Sequence, residues 1–228
     1  MRTLVIGDIH GCLRALNALL DSVSPEADDA IVFLGDYVDR GPHSRGVIER
    51  VIRLRETHRV ITLLGNHELM MQEALNGGEK QRAWLLYGGE ATLRSYSPLG
   101  DEGKLSDVPE EHWKFMRSCV DMYQTPTHFF VHANAFPELP LDAQPPYMLR
   151  WEKFNDPGPH MSGKIMVCGH TAQRSGTPRN LGHAICIDTW VYGPGWLTCL
   201  DANSGHVWQA NEAGQTRTSH LAEFRVHI

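Results

Sequence analysis

The sequence lacks several features that would place it in a common class of protein. Its five cysteines form no C-x-x-C pair and are odd in number, which argues against a disulfide framework or a zinc ribbon. No apolar run approaches the roughly 20 residues that a transmembrane helix needs. The formal net charge of -6 argues against a general nucleic-acid binder, which is usually basic. Because the first motif follows directly after residue 6, no signal peptide is expected, and we predict a cytoplasmic chain without nucleic-acid or membrane partners.

Two catalytic motifs are missing as well. The chain has neither a phosphate-binding loop of the P-loop type nor a G-x-S-x-G nucleophile elbow. A side-chain nucleophile is therefore not expected.

The order of apolar segments predicts an α/β fold in one domain over residues 1–228. Strands predicted at 3–6, 30–34 and 60–64 alternate with helical stripes at 13–23 and 47–54, which favours a parallel sheet with right-handed crossovers. Later runs favour a second sheet that faces the first, with strands at 127–131, 164–168, 184–187, 196–201 and 205–208. Between them we predict two helices, at 81–96 and 109–120, separated by a break at 97–101. This helical segment either caps one edge of a site or fills the core. A proline-rich loop is expected at 134–163, and the tail after residue 211 shows no pattern.

One stretch after the second strand concentrates charged groups between two glycines. It reads Gly35-Asp36-Tyr37-Val38-Asp39-Arg40-Gly41. Alone, such a stretch is a common turn.

Four other predicted strands end in the same manner. Open α/β sheets place their sites beyond the carboxyl ends of their strands, so these endings are expected to meet at one place. They carry Asp8 and His10, Asn66 and His67, His132, and His170.

Carboxylate oxygen and imidazole nitrogen are ligands for divalent metal ions, and a paired site needs one ligand shared by both ions. We expect Asp36 to bridge, because it ends a central strand. The first ion would take Asp8, His10 and Asp36, and the second would take Asp36, Asn66, His132 and His170. A hydroxide held between the two ions is then the expected nucleophile for an in-line displacement.

The stretches at these five strand ends together resemble the signature of the phosphoprotein phosphatase family, and the short bacterial and phage members in particular. They are residues 7–11, 35–41, 65–68, 131–133 and 169–171. The resemblance extends over about residues 1–200. It implies the calcineurin-like metallophosphoesterase fold, in which two mixed β-sheets are sandwiched between helices. It also implies the same metal ligands, with manganese as the first expectation and iron or zinc as alternatives.

The resemblance further assigns roles at the reacting phosphate. Arg40 would bind phosphate oxygens, and Asn66 would both bind metal and donate to the phosphate. His67 would be the general acid that protonates the leaving oxygen, held and kept charged by Asp39. Arg150 is the one candidate for the second phosphate arginine that relatives have.

Two positions depart from the family pattern, in which glycine is usual. Asn134 follows the His132 motif, and asparagine is expected there in a left-handed turn. Trp190 follows the stretch Ile187-Asp188-Thr189, and its ring would pack between the sheets or form a wall beside the substrate.

Three functions compete on this sequence. The first is a protein serine/threonine phosphatase that acts on phosphorylated proteins or peptides, with phosphotyrosine and small esters as further substrates. The alternative is a bis(5'-nucleosyl)-tetraphosphatase, which resembles the same family. Asp39 and Glu68 favour the first, because the tetraphosphatases often lack the former aspartate and have Asp at the latter position. A silent metal-binding scaffold is disfavoured, because no ligand or catalytic residue is lost.

Overall fold

The computed structural model describes residues 1–97 and 102–226. Its seven α-helices in these ranges are α1 Leu13–Val23, α2 Ser44–Leu54, α3 Asn66–Glu73, α4 Gly78–Trp84, α5 Glu90–Tyr96, α6 Glu110–Arg117 and α7 Pro146–Trp151. The strands are β1 Thr3–Ile6, β2 Ala30–Phe33, β3 Arg59–Thr62, β4 Met122–Gln124, β5 His128–Val131, β6 Ile165–Cys168, β7 Arg179–Asn180, β8 Ala184–Cys186, β9 Leu197–Asp201, β10 His206–Ala210 and β11 Thr216–His220.

The strands form two mixed sheets, as the sequence predicts. The first sheet has the order β11-β10-β9-β1-β2-β3, and β1, β2 and β3 run parallel. In this register Ile6 lies opposite Phe33, and Phe33 lies opposite Thr62, so the three strands end at one level. The second sheet has the order β4-β5-β6-β8-β7, with β5, β6 and β8 parallel. Both sheets therefore contribute parallel strand ends to a common edge.

A buried apolar layer joins the two sheets. Val5 and Val32 from the first sheet pack in one cluster with Phe130 and Val167 from the second. The other face of the first sheet is covered by helices, because α1 and α2 each carry an apolar stripe that points inward. Full burial of one large apolar side chain contributes about 1.5–3 kcal/mol, so this packing fixes the strands that position the site.

Several elements differ from the sequence prediction. Helix α7 lies inside the predicted loop 134–163, where a six-residue helix is too short to show a periodic pattern. Strand β11 is missed because its sequence, TRTSH, has no apolar alternation and it forms a largely exposed sheet edge. The predicted helix 81–96 is divided into α4 and α5 by a π-turn at Leu85–Gly89. Of the predicted break at 97–101, residues 98–101 lie outside the described residues.

Over residues 1–97 and 102–226, the structure contains no helix that is both long enough and apolar enough to cross a membrane.

Candidate metal centre and active site

The strand ends bring most of the expected site residues together, on backbone of an unusual conformation. His10, Asp36, Asp39, Arg40 and His170 all have positive φ angles, between 47° and 72°. Such left-handed backbone is costly for residues other than glycine and is concentrated at functional sites. The surrounding loops hold it in place: the amides of Ile9 and His10 both donate to the Asp36 carbonyl oxygen, at 3.0 and 2.8 Å.

A first cluster consists of His10, Asp36 and His67, whose potential ligand atoms all lie within 4.8 Å of one another. The Nε2 atoms of His10 and His67 lie 3.4 and 3.9 Å from Asp36 Oδ2. All three side chains are buried.

A second cluster consists of Asp36, His132 and His170, again within 4.8 Å. Asn66 belongs to it as well, because its Oδ1 atom lies 2.9 Å from His132 Nε2 and 2.9 Å from His170 Nδ1. Asp36 therefore belongs to both clusters.

The hydrogen bonds of the rings show what these clusters fit. His10 Nδ1, His132 Nδ1 and His170 Nε2 each face a backbone carbonyl oxygen, at 3.0, 2.8 and 3.0 Å. In each ring that nitrogen must carry the proton, so the opposite nitrogen presents a lone pair to the cluster. Lone pairs of three imidazoles, an amide oxygen and a carboxylate thus converge. This donor set fits divalent metal ions, because a cation satisfies all of these groups at once.

The electrostatics agree with this fit. Burial lowers the pKa of His10 and of His132, and burial together with His132 lowers the pKa of His170 to about 4. These rings are neutral near pH 7, the form that binds metal. Burial opposes ionisation of Asp36, but the surrounding histidines, which are positively charged when protonated in acid, hold its pKa well below the usual range. Asp36 is therefore the fixed negative charge between the clusters.

Asp8 lies beside the clusters without belonging to either three-residue set. Its carboxylate accepts the His170 amide at 2.9 Å and is buried. The sequence alone does not select Asp188, which follows β8. The segment that carries it is in close contact with the segment that carries Asp8, because a Cβ added at Gly7 would lie 2.6 Å from the Ile187 carbonyl oxygen. The Asp188 Oδ2 atom is buried and has no hydrogen-bond partner among the residues that the structure describes, and burial raises the pKa of this carboxyl to about 6.

Asp39, His67 and Arg40 form a connected unit next to the first cluster. His67 Nδ1 lies 2.6 Å from Asp39 Oδ2, which leaves His67 Nε2 facing the site. The Arg40 guanidinium donates to His10 Nε2 at 2.6 Å and to His67 Nε2 at 3.0 Å. It also lies 4.4 Å from the centre of the Tyr192 ring, a contact that sequence reasoning missed. Burial works against a charged His67, but Asp36 and Asp39 raise its pKa.

Two further residues missed from sequence hold this unit from outside. The indole N–H of Trp84 lies 3.0 Å from both Asp39 carboxylate oxygens, and the Thr92 hydroxyl donates to Asp39 Oδ1 at 2.7 Å. Both side chains are fully buried. They come from α4 and α5, 45 and 53 residues from Asp39, so no local sequence pattern connects them with it.

Arg150 lies in the last turn of α7, and its guanidinium donates to Asp121 Oδ1 at 2.5 Å. The carbonyl oxygen of the next residue, Trp151, faces the His170 ring at 3.0 Å, so this end of α7 borders the second cluster. A role of Arg150 in phosphate binding stays a prediction.

The two departures from the family pattern have different outcomes. Asn134 does not have the expected left-handed backbone, and its side chain instead bonds to the Lys153 carbonyl oxygen and the Ala135 amide. Trp190 does have positive φ, 64°, which explains why glycine is usual there. Its ring is partly buried, with Arg174 5.3 Å above it.

Comparisons with known proteins agree with this geometry. A family model described as calcineurin-like phosphoesterase matches residues 1–174. The symmetrical bis(5'-nucleosyl)-tetraphosphatase of Janthinobacterium sp. (strain Marseille) is 33% identical over 141 residues, 60% of this chain and 45% of that protein. The enzyme of the same name from Pseudomonas fluorescens (strain SBW25) is 32% identical over 142 residues, 62% of this chain and 46% of that protein. The alignments thus span about half the length of these curated relatives.

A solved structure shows the same fold at lower identity. The cold-active protein-tyrosine phosphatase of a psychrophilic Shewanella species superposes with a TM-score of 0.67 over 95% of this chain and 80% of that chain, at 18% identity. This likeness concerns the fold alone.

The curated relatives correct one expectation. A phosphorylated protein or peptide as the partner is wrong, because these relatives are named as enzymes of dinucleoside tetraphosphates, which are small nucleotides. They favour the alternative function over the first one. Because the family model matches about three quarters of this chain, the chain belongs to the calcineurin-like phosphoesterases.

Proposed function

We propose that this chain is a metal-dependent hydrolase of dinucleoside polyphosphates, of the symmetrical bis(5'-nucleosyl)-tetraphosphatase kind. The observation that carries the chemistry is the pair of buried clusters that share Asp36, with Arg40 beside them. The substrate class is supported by the name of the curated relatives.

The residues that would hold two divalent ions are those expected from the sequence. Asp8, His10 and Asp36 would hold the first ion, and the second would bind to Asp36, Asn66, His132 and His170. When bound, such ions lower the pKa of a coordinated water and offset the charge of the phosphate. Manganese is the first metal to test.

Arg40 is proposed to bind the phosphate that is attacked. Its guanidinium is anchored through the cation–π contact with Tyr192 and reaches His10 and His67 on two sides. A guanidinium fork matches two phosphate oxygens in one plane, and it binds an anion more strongly than it binds neutral imidazole nitrogen. Arg40 would therefore exchange its imidazole contacts for the substrate, which frees His67 Nε2.

Once Arg40 has moved to the phosphate, His67 Nε2 can take up a proton from solvent, because Asp36 and Asp39 raise the pKa of this ring against the effect of burial. His67 is then proposed to give that proton to the departing oxygen, with Asp39 fixing the ring through the hydrogen bond that it accepts from Nδ1. In a dinucleoside tetraphosphate the departing oxygen belongs to a nucleotide phosphate, whose second pKa is about 6. Such a group leaves with little protonation. The site would therefore depend on Arg40 and the metal ligands more than on His67 for this substrate.

Product analysis of the manganese-loaded protein tests the proposal. Diadenosine tetraphosphate should be converted to two molecules of ADP, measured by ion-exchange chromatography. Asp36→Asn is the matched inactive control, because it removes the carboxylate shared by the clusters. Formation of ATP with AMP would contradict the symmetrical cleavage, and no turnover of the dinucleotide would refute the substrate class.

A further inference from the structure

The described helical segment around α4 and α5 touches the catalytic unit at three points. Trp84 and Thr92 both bond to the Asp39 carboxylate, as described above. Between them, the Gly88 carbonyl oxygen accepts the Arg40 amide at 3.2 Å. Gly88 has a φ of 112°, and a Cβ added there would lie 2.7 Å from the Arg40 nitrogen. Only glycine allows this approach without strain, so the π-turn is shaped around Arg40.

The direction of each hydrogen bond at Asp39 can be assigned. The Asp39 amide donates to the Thr92 hydroxyl oxygen at 2.8 Å, and that hydroxyl lies 2.7 Å from Asp39 Oδ1. Since a carboxylate accepts only, the hydroxyl proton points to Oδ1. The indole of Trp84 can only donate. The buried carboxylate thus receives hydrogen bonds from Trp84, Thr92 and His67, and its rotation is fixed from two sides.

We propose that Trp84 and Thr92 are positioning residues for the reaction. They hold the Asp39 carboxylate so that Oδ2 accepts the hydrogen bond from His67 Nδ1–H. The protonated Nε2 of His67 then faces the leaving group. Without these two donors Asp39 stays buried but is free to turn, and the His67 ring loses its fixed direction. The inference rests on the proposed role of His67, and it gives a catalytic reason for the helical segment that lies over this edge of the site.

A purely structural role makes a different prediction. Trp84 also packs, together with Trp113 of α6, in the apolar core between the first sheet and its helices. If only the bulk of these side chains mattered, removing the polar atom at constant volume would leave the ratio of kcat on good and poor leaving groups unchanged. The nearly isosteric change Thr92→Val, together with equal changes at Trp84 and at a control tryptophan, therefore separates a positioning role from a structural one.

The experiment compares four variants. Thr92→Val removes the hydroxyl at nearly constant shape. Trp84→Phe removes the indole donor together with part of the ring volume, so its effect is compared with that of the same change at Trp113. Thr92→Ser keeps the hydroxyl, and Trp113→Phe is a control in a buried tryptophan that makes no hydrogen bond to Asp39. Rates are measured on glycerol 2-phosphate, a poor leaving group, and on p-nitrophenyl phosphate, a good one. We expect Trp84→Phe and Thr92→Val to lower kcat on the poor leaving group by about tenfold and on the good one by under about threefold, with KM unchanged.

A second readout does not require turnover. In the metal-free protein, the proton shared by His67 Nδ1 and Asp39 should give a low-field proton NMR resonance, because this contact is short and buried. Thr92→Val and Trp84→Phe should shift or broaden it, whereas Thr92→Ser and Trp113→Phe should leave it in place. If Trp84→Phe fails to fold, the Thr92 pair still decides.

Two results would overturn the inference. The first is an unchanged resonance in Thr92→Val, and the second is an equal loss of kcat on both esters. Because the resonance is independent of the substrate, failure of dinucleotide hydrolysis would not be confused with failure of this inference.

Discussion

Replacing Glu68 by Gln should destabilise the fold and the site together. The buried Glu68 carboxylate accepts hydrogen bonds from four backbone amides, three in the stretch after β2 and one at Gly65, just before α3. Oε2 accepts those of Asp36 and Gly65 at 2.9 and 3.1 Å, and Oε1 accepts those of Tyr37 and Val38 at 2.7 and 3.2 Å. Burial raises the pKa of this carboxyl, but both oxygens face only hydrogens, which is a geometry that the ionised form satisfies.

The magnitude follows from the number of donors that lose their acceptor. A glutamine keeps one oxygen and turns an NH2 group toward the other two amides, so two buried donors are left unpaired. Each costs about 1–3 kcal/mol, which gives a loss of about 2–6 kcal/mol in the free energy of unfolding. Glu73→Gln is the matched control, because Glu73 lies at the end of the same helix and its side chain is 45% exposed. Among the described residues its carboxylate forms an ion pair only with Lys80. We expect that control to change stability by under about 1 kcal/mol.

Urea denaturation of the metal-free proteins at pH 7 measures both values. Titration with Mn²⁺ should also show weaker binding in Glu68→Gln, because the amides of Asp36 and its neighbours are no longer held. A loss below about 1 kcal/mol with unchanged metal affinity would refute the view that Glu68 fixes the central motif.

Further predictions concern the site and the pH dependence of stability. Asp36→Asn should nearly abolish turnover and weaken Mn²⁺ binding in calorimetry, because it removes the charge shared by both clusters; two ions bound with wild-type affinity would contradict this. His67→Asn should lower kcat/KM for glycerol 2-phosphate more than for p-nitrophenyl phosphate, by on the order of 10²-fold; equal losses would argue against the acid role. Treatment with EDTA should stop turnover of diadenosine tetraphosphate, and added Mn²⁺ should restore it. Although burial opposes its ionisation, Asp29 is held by Arg2 and by amides at a pKa of about 2. Its stabilisation, about 2 kcal/mol, is thus complete above pH 5 and lost as the pH falls toward 2; urea midpoints of Asp29→Asn and the wild type should converge over that range, and a constant difference would refute it.

The sequence predicts the parts of this fold that follow from local patterns. The strand–helix alternation over residues 1–64 and the strand ends that carry Asp36, His132 and His170 are visible because parallel strands must end at one edge. The contacts of Trp84 and Thr92 with Asp39 depend on how a distant segment folds back, which no periodicity records. The pairing of Arg150 with Asp121 depends on tertiary structure in the same way.

The error about the substrate has a physical cause. From the sequence, Asp39 and Glu68 favour a protein phosphatase. In the structure both side chains are fully buried and engage His67, Trp84 and backbone amides. Residues that hold the machinery in place do not contact the part of the substrate that differs between a phosphoprotein and a dinucleotide. They therefore carry little information about specificity.

One comparison tests the central claim most directly. The ratio of kcat/KM for diadenosine tetraphosphate to that for a phosphoserine peptide should be measured on the same manganese-loaded protein. The proposed function predicts a ratio well above one, by at least about tenfold, with ADP as the nucleotide product. A ratio below one, which means faster turnover of the phosphoserine peptide, would contradict the proposed function.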